Sequence, residues 1–262
     1  MELKGKAAIV TGSSSDGGIG AECAKILASR GCNIVVNYAT NKAGAEKVAA
    51  DCVAMGVRAF TAHGNVAKDA DCVLLVKEAV DKFGRLDVLI NNAAVTKAIP
   101  QRRMDLLNAD EFERIFSVNL VGNYQMCRAA APHLKASGDA AIVNISSIGA
   151  MRGSGSSIAY SASKGALNTL TLSMARLLAP EVRVNALCPG GLLGNWTKKI
   201  MSEEAYEKLI VRTETEFPLK RGIWPADVAR AALFLVEGAT TMTGECLRMD
   251  SGQHLGDQGA RI

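Results

Sequence analysis

The feature that most constrains the fold is a regular alternation of short apolar runs with longer helical stretches. Helical periodicity covers about residues 18–30, 41–56, 68–84, 110–137, 157–180 and 225–237. The apolar runs are rich in Val, Ile and Ala and read AAIVTG, NIVVNY, RAFTAHGN, LDVLINNAA, AAIVNIS, VRVNALCPG and ECLRMDSG. Repeated strand, helix, strand units are typical of a parallel sheet. Because the runs are almost continuously apolar, we expect helices on both faces. The sequence therefore predicts a doubly wound α/β fold with a seven-stranded parallel sheet.

No linker or internal repeat divides the chain, so we expect one domain over residues 1–262. Glycine ends three helical stretches, at Gly31, Gly56 and Gly84, as is common at helix C-termini. One interval, 190–219, interrupts the alternation and carries a helical piece near 202–213. It leaves from the carboxyl end of a strand, where open parallel sheets bind ligands. We interpret it as a substrate lid; a solvated surface excursion is the alternative.

Composition excludes several classes of protein. Hydrophobic residues are 48% and charged residues 21% of the chain, which is ordinary for a globular protein with a full core. No apolar run is long enough for a bilayer, and MELKGKAAIV enters a strand at once, so we expect a cytoplasmic protein without membrane contact. The formal charge of +4 has no runs that would indicate a nucleic-acid partner. Cysteines without CxxC pairs and histidines without ligand spacing predict no metal site.

The first apolar run leads into TGSSSDGGIG, residues 11–20. A glycine-rich turn between a strand and a helix lets backbone N–H groups approach a pyrophosphate, and the helix N-terminus adds a positive dipole. Ser13, Ser14 and Ser15 would add hydroxyl donors. Glycine and serine also dominate ordinary turns, but this turn has the position that the dinucleotide fingerprint requires.

The end of the second strand, VVNYATNK, bears on the choice of dinucleotide. An acidic residue there would bind the adenosine ribose of NAD and repel the extra phosphate of NADP. The chain has Asn37 instead, with Lys42 nearby, which favours NADP(H) and leaves NAD(H) as the alternative. Asp16 opposes this reading if its carboxylate faces the 2′-phosphate. Its other interpretation is a turn-forming Asp that bonds its own backbone.

The segment AYSASKGALNTL places Tyr160 and Lys164 four residues apart on one helical face. An ammonium one turn from a phenol favours the phenolate and moves the phenol pKa toward neutrality. Thirteen residues before Tyr160, Ser147 ends NISS after the fifth strand, with Ser146 as a competing hydroxyl. Asn119 lies within the long helical stretch 110–137.

These motifs, in this order, resemble the short-chain dehydrogenase/reductase family, in the branch with beta-ketoacyl carrier-protein reductases. The resemblance extends from the TG of the first turn to MDSG near the C-terminus. It implies hydride transfer between a nicotinamide cofactor and a carbonyl or alcohol substrate. In that reaction Tyr160 would be the general acid or base, and Lys164 would lower its pKa and bind the nicotinamide ribose. Ser147 would bond the substrate oxygen. Asn119 would hold a relay water, or would only bridge backbone groups across a helix kink.

The loop, the second strand and the resemblance together predict a cofactor-binding set that follows the carboxyl ends of the strands. Its members are Gly12, Ser14, Ser15, Gly18, Ile19, Gly20, Asn37, Asn65, Val66, Asn92, Ala93, Tyr160, Lys164, Pro189, Gly190 and Leu192.

The chain departs from the family pattern at three points. Five residues separate Gly12 from Gly18, where the family usually has three. Asn65 stands where an adenine-binding Asp is usual. After Gly190 no hydroxyl occurs before Thr197, so the contact with the nicotinamide carboxamide passes to a rearranged loop or to backbone atoms.

Assembly, pocket and reaction remain open at this stage. The apolar stretches 110–137 and 157–180 resemble the family's subunit interface and predict a homotetramer or homodimer. Trp196, Met201 and Tyr206 either line an apolar substrate pocket or only pack the lid. Two other functions are a catalytically silent dinucleotide-binding regulator and a reductase of C=N or C=C bonds. The complete Ser, Tyr, Lys and Asn set argues against a silent site, and the Ser and Tyr favour a carbonyl oxygen.

Overall fold

Seven parallel strands form the central sheet of the computed structural model, which describes residues 1–256. In space they run β3-β2-β1-β4-β5-β6-β7, and each neighbouring pair is parallel. The strands are β1 (Ala7–Val10), β2 (Asn33–Tyr38), β3 (Ala59–His63), β4 (Val88–Asn91), β5 (Ala140–Ile145), β6 (Val182–Pro189) and β7 (Cys246–Met249). The order reverses between β1 and β4, which opens a crevice at their carboxyl ends.

Helices connect the strands and cover the sheet. They are α1 (Ile19–Ala28), α2 (Lys42–Ala54), α3 (Asp69–Phe83), α4 (Ala109–Phe116), α5 (Asn123–Ser137), α6 (Gly149–Arg152), α7 (Ile158–Leu178), α8 (Asn195–Ile200), α9 (Glu203–Thr215) and α10 (Pro225–Glu237). Short 3-10 turns occupy Met104–Leu106 and Gln253–Leu255, and a π-helical segment, Ser117–Gly122, joins α4 to α5. The described part has no helix that is both long and apolar enough to cross a membrane.

Two apolar cores lie on opposite faces of the sheet. Val10 and Val36 face a core built with α1, α2 and α10, whereas Ile9 and Val35 face one built with α3, α5 and α7. Alternate residues of one strand thus enter different cores, and this explains the unbroken apolar runs. The predicted doubly wound sheet with helices on both faces is confirmed.

One predicted helix ends where its glycine indicates, and another is interrupted in its middle. Gly84 follows α3 with φ 78°, a left-handed conformation that glycine adopts without a side-chain clash. The predicted stretch 110–137 is not one regular helix, because six residues in its middle wind as a π-helix. Such π segments often occur at functional sites.

The interval between β6 and α10 folds as two helices, α8 and α9. Tyr206 is buried, and its hydroxyl accepts a hydrogen bond from Gly194 N at 2.9 Å. The Thr197 hydroxyl donates to Leu192 O at 2.7 Å. Leu192 also forms an isolated parallel bridge with Ile223, so the start of this segment is tied to the chain just before α10. Tyr206 therefore packs the segment internally, and Trp196 is 36% exposed.

Candidate active site

The turn after β1 brings backbone very close to backbone. A Cβ on Gly12, whose φ is +60°, would lie 2.8 Å from the Cα of Ala93. A Cβ on Gly20 would lie 2.5 Å from Asn92 Nδ2 and 2.8 Å from Gly12 O. Larger residues would displace the turn at both positions, so these glycines are required by packing before any ligand is considered.

The turn ends at a helix N-terminus that fits a phosphate. Gly18 is the N-cap of α1, and no side chain among the described residues caps it. The amides of Ile19 and Gly20 lie in the first turn, where N–H groups have no partner within the helix. Ser14 and Ser15, just before the cap, are partly exposed. This cradle has the donors and the open backbone that a dinucleotide pyrophosphate needs.

Thr11 and Asn92 join β1 to β4 beside the cradle. The Thr11 hydroxyl accepts hydrogen bonds from Asn92 N and Ala93 N, both at 3.0 Å. In return, Asn92 Nδ2 donates to Thr11 O and Gly12 O, at 3.0 and 2.9 Å. Asn92 therefore ties the two strand ends together. The role of Thr11 was not identified from the sequence, although the TG pair was its signal.

The structure gives Asn37 a different set of contacts from the expected ones. Its side chain is buried, Oδ1 accepts from Gly12 N at 3.0 Å, and Nδ2 donates to Ala62 O and Gly64 O. The carboxamide thus holds the phosphate turn against β3 and is not itself a free donor for a 2′-phosphate. Ser13 also differs from its predicted role as a donor to the pyrophosphate, because its buried hydroxyl donates to Val10 O at 2.8 Å.

Asp16 forms ion pairs with lysines. Its carboxylate lies 2.5 Å from Lys47 Nζ of α2 and 3.6 Å from Lys25 Nζ of α1. The hydrogen bond with Lys47 lowers the pKa of Asp16 below its usual value. Among the described residues the Asp16 side chain bonds these lysines and not its own backbone, unlike the predicted turn-forming Asp. A carboxylate that faces the 2′-phosphate stays a prediction. The two cations offset the negative charge of the turn.

Asn65 and Val66 follow β3 at the outer end of the crevice. Asn65 Oδ1 accepts from Ala67 N at 3.0 Å, so part of its carboxamide shapes its own turn. Val66 is buried, and its carbonyl accepts from Gln125 Nε2 of α5 at 2.7 Å. Asn65 as an adenine contact and Val66 as a cofactor contact remain predictions.

Ser147 and Tyr160 come together at the carboxyl end of β5. Ser147 lies near enough to Tyr160 for its hydroxyl to lower the pKa of the phenol, and both residues are partly exposed. Ser147 Oγ also accepts from Gly149 N at 3.0 Å, which leaves the serine proton free for donation. The backbone N–H of Tyr160 donates to the Ser157 hydroxyl. This bond caps α7 and fixes the start of the helix that carries Tyr160. Ser146, the competing hydroxyl, is buried and donates to Asn168 Oδ1 at 2.7 Å.

Lys164 lies one turn after Tyr160 on α7, as the spacing predicts. Its side chain is buried, and Nζ donates to Ile145 O at 2.7 Å. Nζ lies 5.7 Å from the centroid of the Tyr160 ring. Burial lowers the pKa of Lys164 to about 8. An ammonium has three donors, so others are available to ligand hydroxyls beside the bond to Ile145.

The pKa of Tyr160 differs from the expected one. We predicted that Lys164 would bring it toward neutrality; in the structure burial dominates and raises the pKa of Tyr160 to about 12, although contact with Ser147 opposes the shift. The phenol is therefore protonated at neutral pH. This form can donate a proton to a substrate oxygen.

Asn119 lies inside the π-helical segment and is fully buried. Its carboxamide accepts from Val95 N at 2.8 Å and donates to Val95 O at 3.0 Å and to Ser163 Oγ at 3.1 Å. The backbone carbonyl of Asn119 accepts from Asn123 Nδ2 at 2.8 Å. The carboxamide thus ties the π-helical segment to the chain after β4 and to α7, and does not bridge backbone groups within its own helix. The relay water remains a prediction.

The segment after β6 closes the other side of the crevice. Pro189 O accepts from Ile148 N at 2.9 Å, and Gly190 N donates to Met249 O at 2.8 Å. A Cβ on Gly190 would lie 2.8 Å from Ile148 Cγ2. The Thr197 hydroxyl donates to Leu192 O and is not free to contact a cofactor. A contact between this segment and the nicotinamide carboxamide stays a prediction.

A phosphate cradle at the first strand crossover and a Ser, Tyr and Lys group at the next strand end define a nicotinamide-dependent oxidoreductase. Comparisons with known proteins agree. Residues 12–254 match the family model described as "Enoyl-(Acyl carrier protein) reductase". The protein described as "Granaticin polyketide synthase putative ketoacyl reductase 2", from Streptomyces violaceoruber, is 41% identical over 249 residues, with 95% of this chain and 96% of that protein covered.

Two further relatives extend the comparison. The "3-oxoacyl-[acyl-carrier-protein] reductase FabG" of Staphylococcus aureus (strain N315) is 34% identical over 252 residues, covering 95% of this chain and 98% of that protein. A solved structure described as "a putative short-chain dehydrogenase/reductase from Burkholderia xenovorans" has a TM-score of 0.88 and 39% identity, covering 96% and 98% of the two chains. The chain belongs to the short-chain dehydrogenase/reductase family and is an oxidoreductase that acts on a carbonyl/alcohol pair.

Proposed function

We propose that this chain is a cytoplasmic, NADP(H)-dependent reductase of ketones, with 3-oxoacyl thioesters as the first substrate class to test. The observation that carries the proposal is the grouping of Ser147, Tyr160 and the buried Lys164 at the carboxyl end of β5. The ketoacyl and 3-oxoacyl reductase names of two relatives support the substrate class.

In the reduction, NADPH would supply the hydride that attacks the carbonyl carbon. Ser147 would donate its free proton in a hydrogen bond to the carbonyl oxygen and hold it beside Tyr160. Tyr160, protonated at neutral pH, would transfer its proton to that oxygen as negative charge develops. The Lys164 ammonium would stabilise the phenolate that Tyr160 leaves and would donate to the ribose hydroxyls.

The preference for NADP(H) rests on charge at the end of β2. Residues 37–42, NYATNK, contain no carboxylate, and the Lys42 side chain is 68% exposed. Asp16 is paired with Lys47 and Lys25, so its repulsion of a 2′-phosphate is reduced. The Asn37 carboxamide is occupied, and that of Asn41 caps α2 and bonds Ser14 O, so we assign the phosphate contact to Lys42 at the start of α2.

The interval 190–219 is proposed as the substrate lid, and a homotetramer or homodimer as the assembly. A shallow apolar groove between α5 and α7 supports the assembly; Tyr124, Met174 and Leu177 are among its lining residues. Tyr124 is 42% and Leu177 63% exposed, and clustered exposed apolar side chains are typical of interaction surfaces.

A panel of 3-oxoacyl thioesters, cyclic ketones, imines and enoyl thioesters, run with NADPH and with NADH, tests the proposal. We expect NADPH oxidation with the ketones, fastest with the 3-oxoacyl thioesters. Turnover confined to enoyl thioesters, which the description of the matching family model makes a specific alternative, would contradict a carbonyl substrate. Tight NADPH binding without turnover of any substrate would indicate a silent regulator.

A further inference from the structure

The phosphate turn is two residues longer than the family pattern, and this longer turn contacts the segment after β6. Asp16 and Gly17 lie in the middle of this longer turn, where Gly17 has φ +67°. The backbone carbonyl of Asp16 accepts a hydrogen bond from Asn195 Nδ2 at 3.1 Å. Asn195 is the first residue of α8. The turn after β1 therefore contacts the segment after β6 directly.

This contact crosses the mouth of the crevice. In the sheet, β4 and β5 lie between β1 and β6. Three strand spacings of about 4.8 Å separate β1 from β6 by about 14 Å, so the contact must extend over the carboxyl ends of the two strands between them. Those ends carry Asn92 and Ser147, the groups that line the crevice.

Both sides of the contact are held in place. On the turn, the Asp16 side chain pairs with Lys47 and Lys25, and Ser14 O accepts from Asn41 Nδ2 at 2.8 Å. At the start of α8, Gly194 N is fixed by the buried Tyr206 hydroxyl. Because each partner is fixed by its own element, the bond between Asn195 and Asp16 is not an accident of two free loops.

We propose that Asn195 is a positioning residue that closes the cofactor crevice: its bond to the Asp16 carbonyl spans a bound dinucleotide and slows its release. This inference rests on the proposed dinucleotide function in one respect, namely that the pyrophosphate lies on the turn and the nicotinamide near Lys164. A cofactor that extends between these two points passes beneath the contact. Its release then requires the start of the lid to separate from the turn.

The test compares Asn195→Asp with the wild-type chain. Asp has the same shape but replaces the donor by an oxygen facing the Asp16 carbonyl, and Asn195 is exposed, so the fold should tolerate the change. Asn195→Ala removes the donor without adding charge. Lys208→Ala is the matched control, because it breaks only an exposed ion pair with Glu204 on α9.

Three measurements define the outcome: the NADPH dissociation rate by stopped-flow fluorescence, the single-turnover rate of hydride transfer, and amide hydrogen exchange of residues 13–18 without cofactor. Loss of one hydrogen bond predicts dissociation about three- to tenfold faster in both Asn195 variants. The Michaelis constant for NADPH should rise, exchange in the turn should be faster, and the single-turnover rate should be unchanged. The Lys208→Ala chain should match the wild type.

Unchanged dissociation and exchange in both Asn195 variants would overturn the proposal. An equal loss of single-turnover rate and thermal stability would also overturn it, because that pattern indicates a structural role alone. Should the wild-type chain bind neither NADPH nor NADH, the proposed function fails and this inference fails with it. Normal NADPH binding with unchanged dissociation removes only the role of Asn195.

Discussion

Replacing Tyr160 by Phe removes one oxygen atom at the point where the proposed proton transfer occurs. The pKa of Tyr160 is about 12, so at pH 7 nearly every molecule holds the proton to be donated. A positioned general acid contributes about 10²- to 10⁴-fold to a rate. At about 1.36 kcal/mol for each factor of ten, the change raises the activation free energy by about 3–5 kcal/mol.

The same change has a small effect on folding. The aromatic ring stays in place and only one hydroxyl is lost, so we expect the free energy of unfolding to change by no more than about 1 kcal/mol. We therefore expect the Tyr160→Phe chain to fold and to bind NADPH with nearly unchanged affinity. Loss of turnover would then be a chemical effect and not a consequence of unfolding.

The assay is single-turnover oxidation of enzyme-bound NADPH by a 3-oxoacyl thioester, with fluorescence titration of NADPH beside it. Tyr124→Phe is the matched control, because Tyr124 is a 42% exposed residue of α5 outside the Ser147 and Tyr160 group. We expect a loss of at least a hundredfold for Tyr160→Phe and none for the control. A Tyr160→Phe chain that keeps its rate within tenfold of the wild type would refute the assignment of the acid.

Three further predictions follow from charge and exposure. Lys164 has a pKa of about 8 and is therefore charged below pH 8. We expect kcat/KM for reduction to be high below pH 8 and to fall above it as the ammonium loses its proton. A flat profile from pH 7 to 9.5 would contradict this. Lys42→Glu should lower the ratio of NADPH to NADH affinity about tenfold, the factor that about 1.4 kcal/mol produces, as measured by titration of both cofactors. Leu177→Glu places a charge in the groove between α5 and α7. Light scattering should then show a shift of the assembly toward monomers. An unchanged mass would show that this groove is not the subunit interface.

The sheet was predictable because its signal is local. Each strand is a short apolar run, and a residue such as Ile9 or Val10 faces a covered core whichever way it points. Glycine at the end of a helix, as at Gly84, is also a local preference. Short elements such as α6 and α8 were missed, because four or six residues carry too little periodicity to distinguish a helix from a loop.

The candidate site was predictable in its identities and less so in its contacts. The spacing of Tyr160 and Lys164 follows from helix geometry alone. The destination of the Asn37 carboxamide depends on β3 and the phosphate turn, which are 25 to 27 residues away in sequence. The pairing of Asp16 with Lys47 depends likewise on how α2 packs beside the turn. Such long-range contacts decide burial and charge, and a single sequence does not display them.

We propose that this chain transfers a hydride from NADPH to a carbonyl carbon while Tyr160 supplies the proton. Reduction of a 3-oxobutanoyl thioester with NADPH deuterated at the transferring position of the nicotinamide tests it directly, with the product analysed by mass spectrometry and NMR. The account predicts a 3-hydroxybutanoyl product with one deuterium on carbon 3. Absence of deuterium from that carbon, or transfer of deuterium only to an enoyl thioester that becomes saturated, would contradict it.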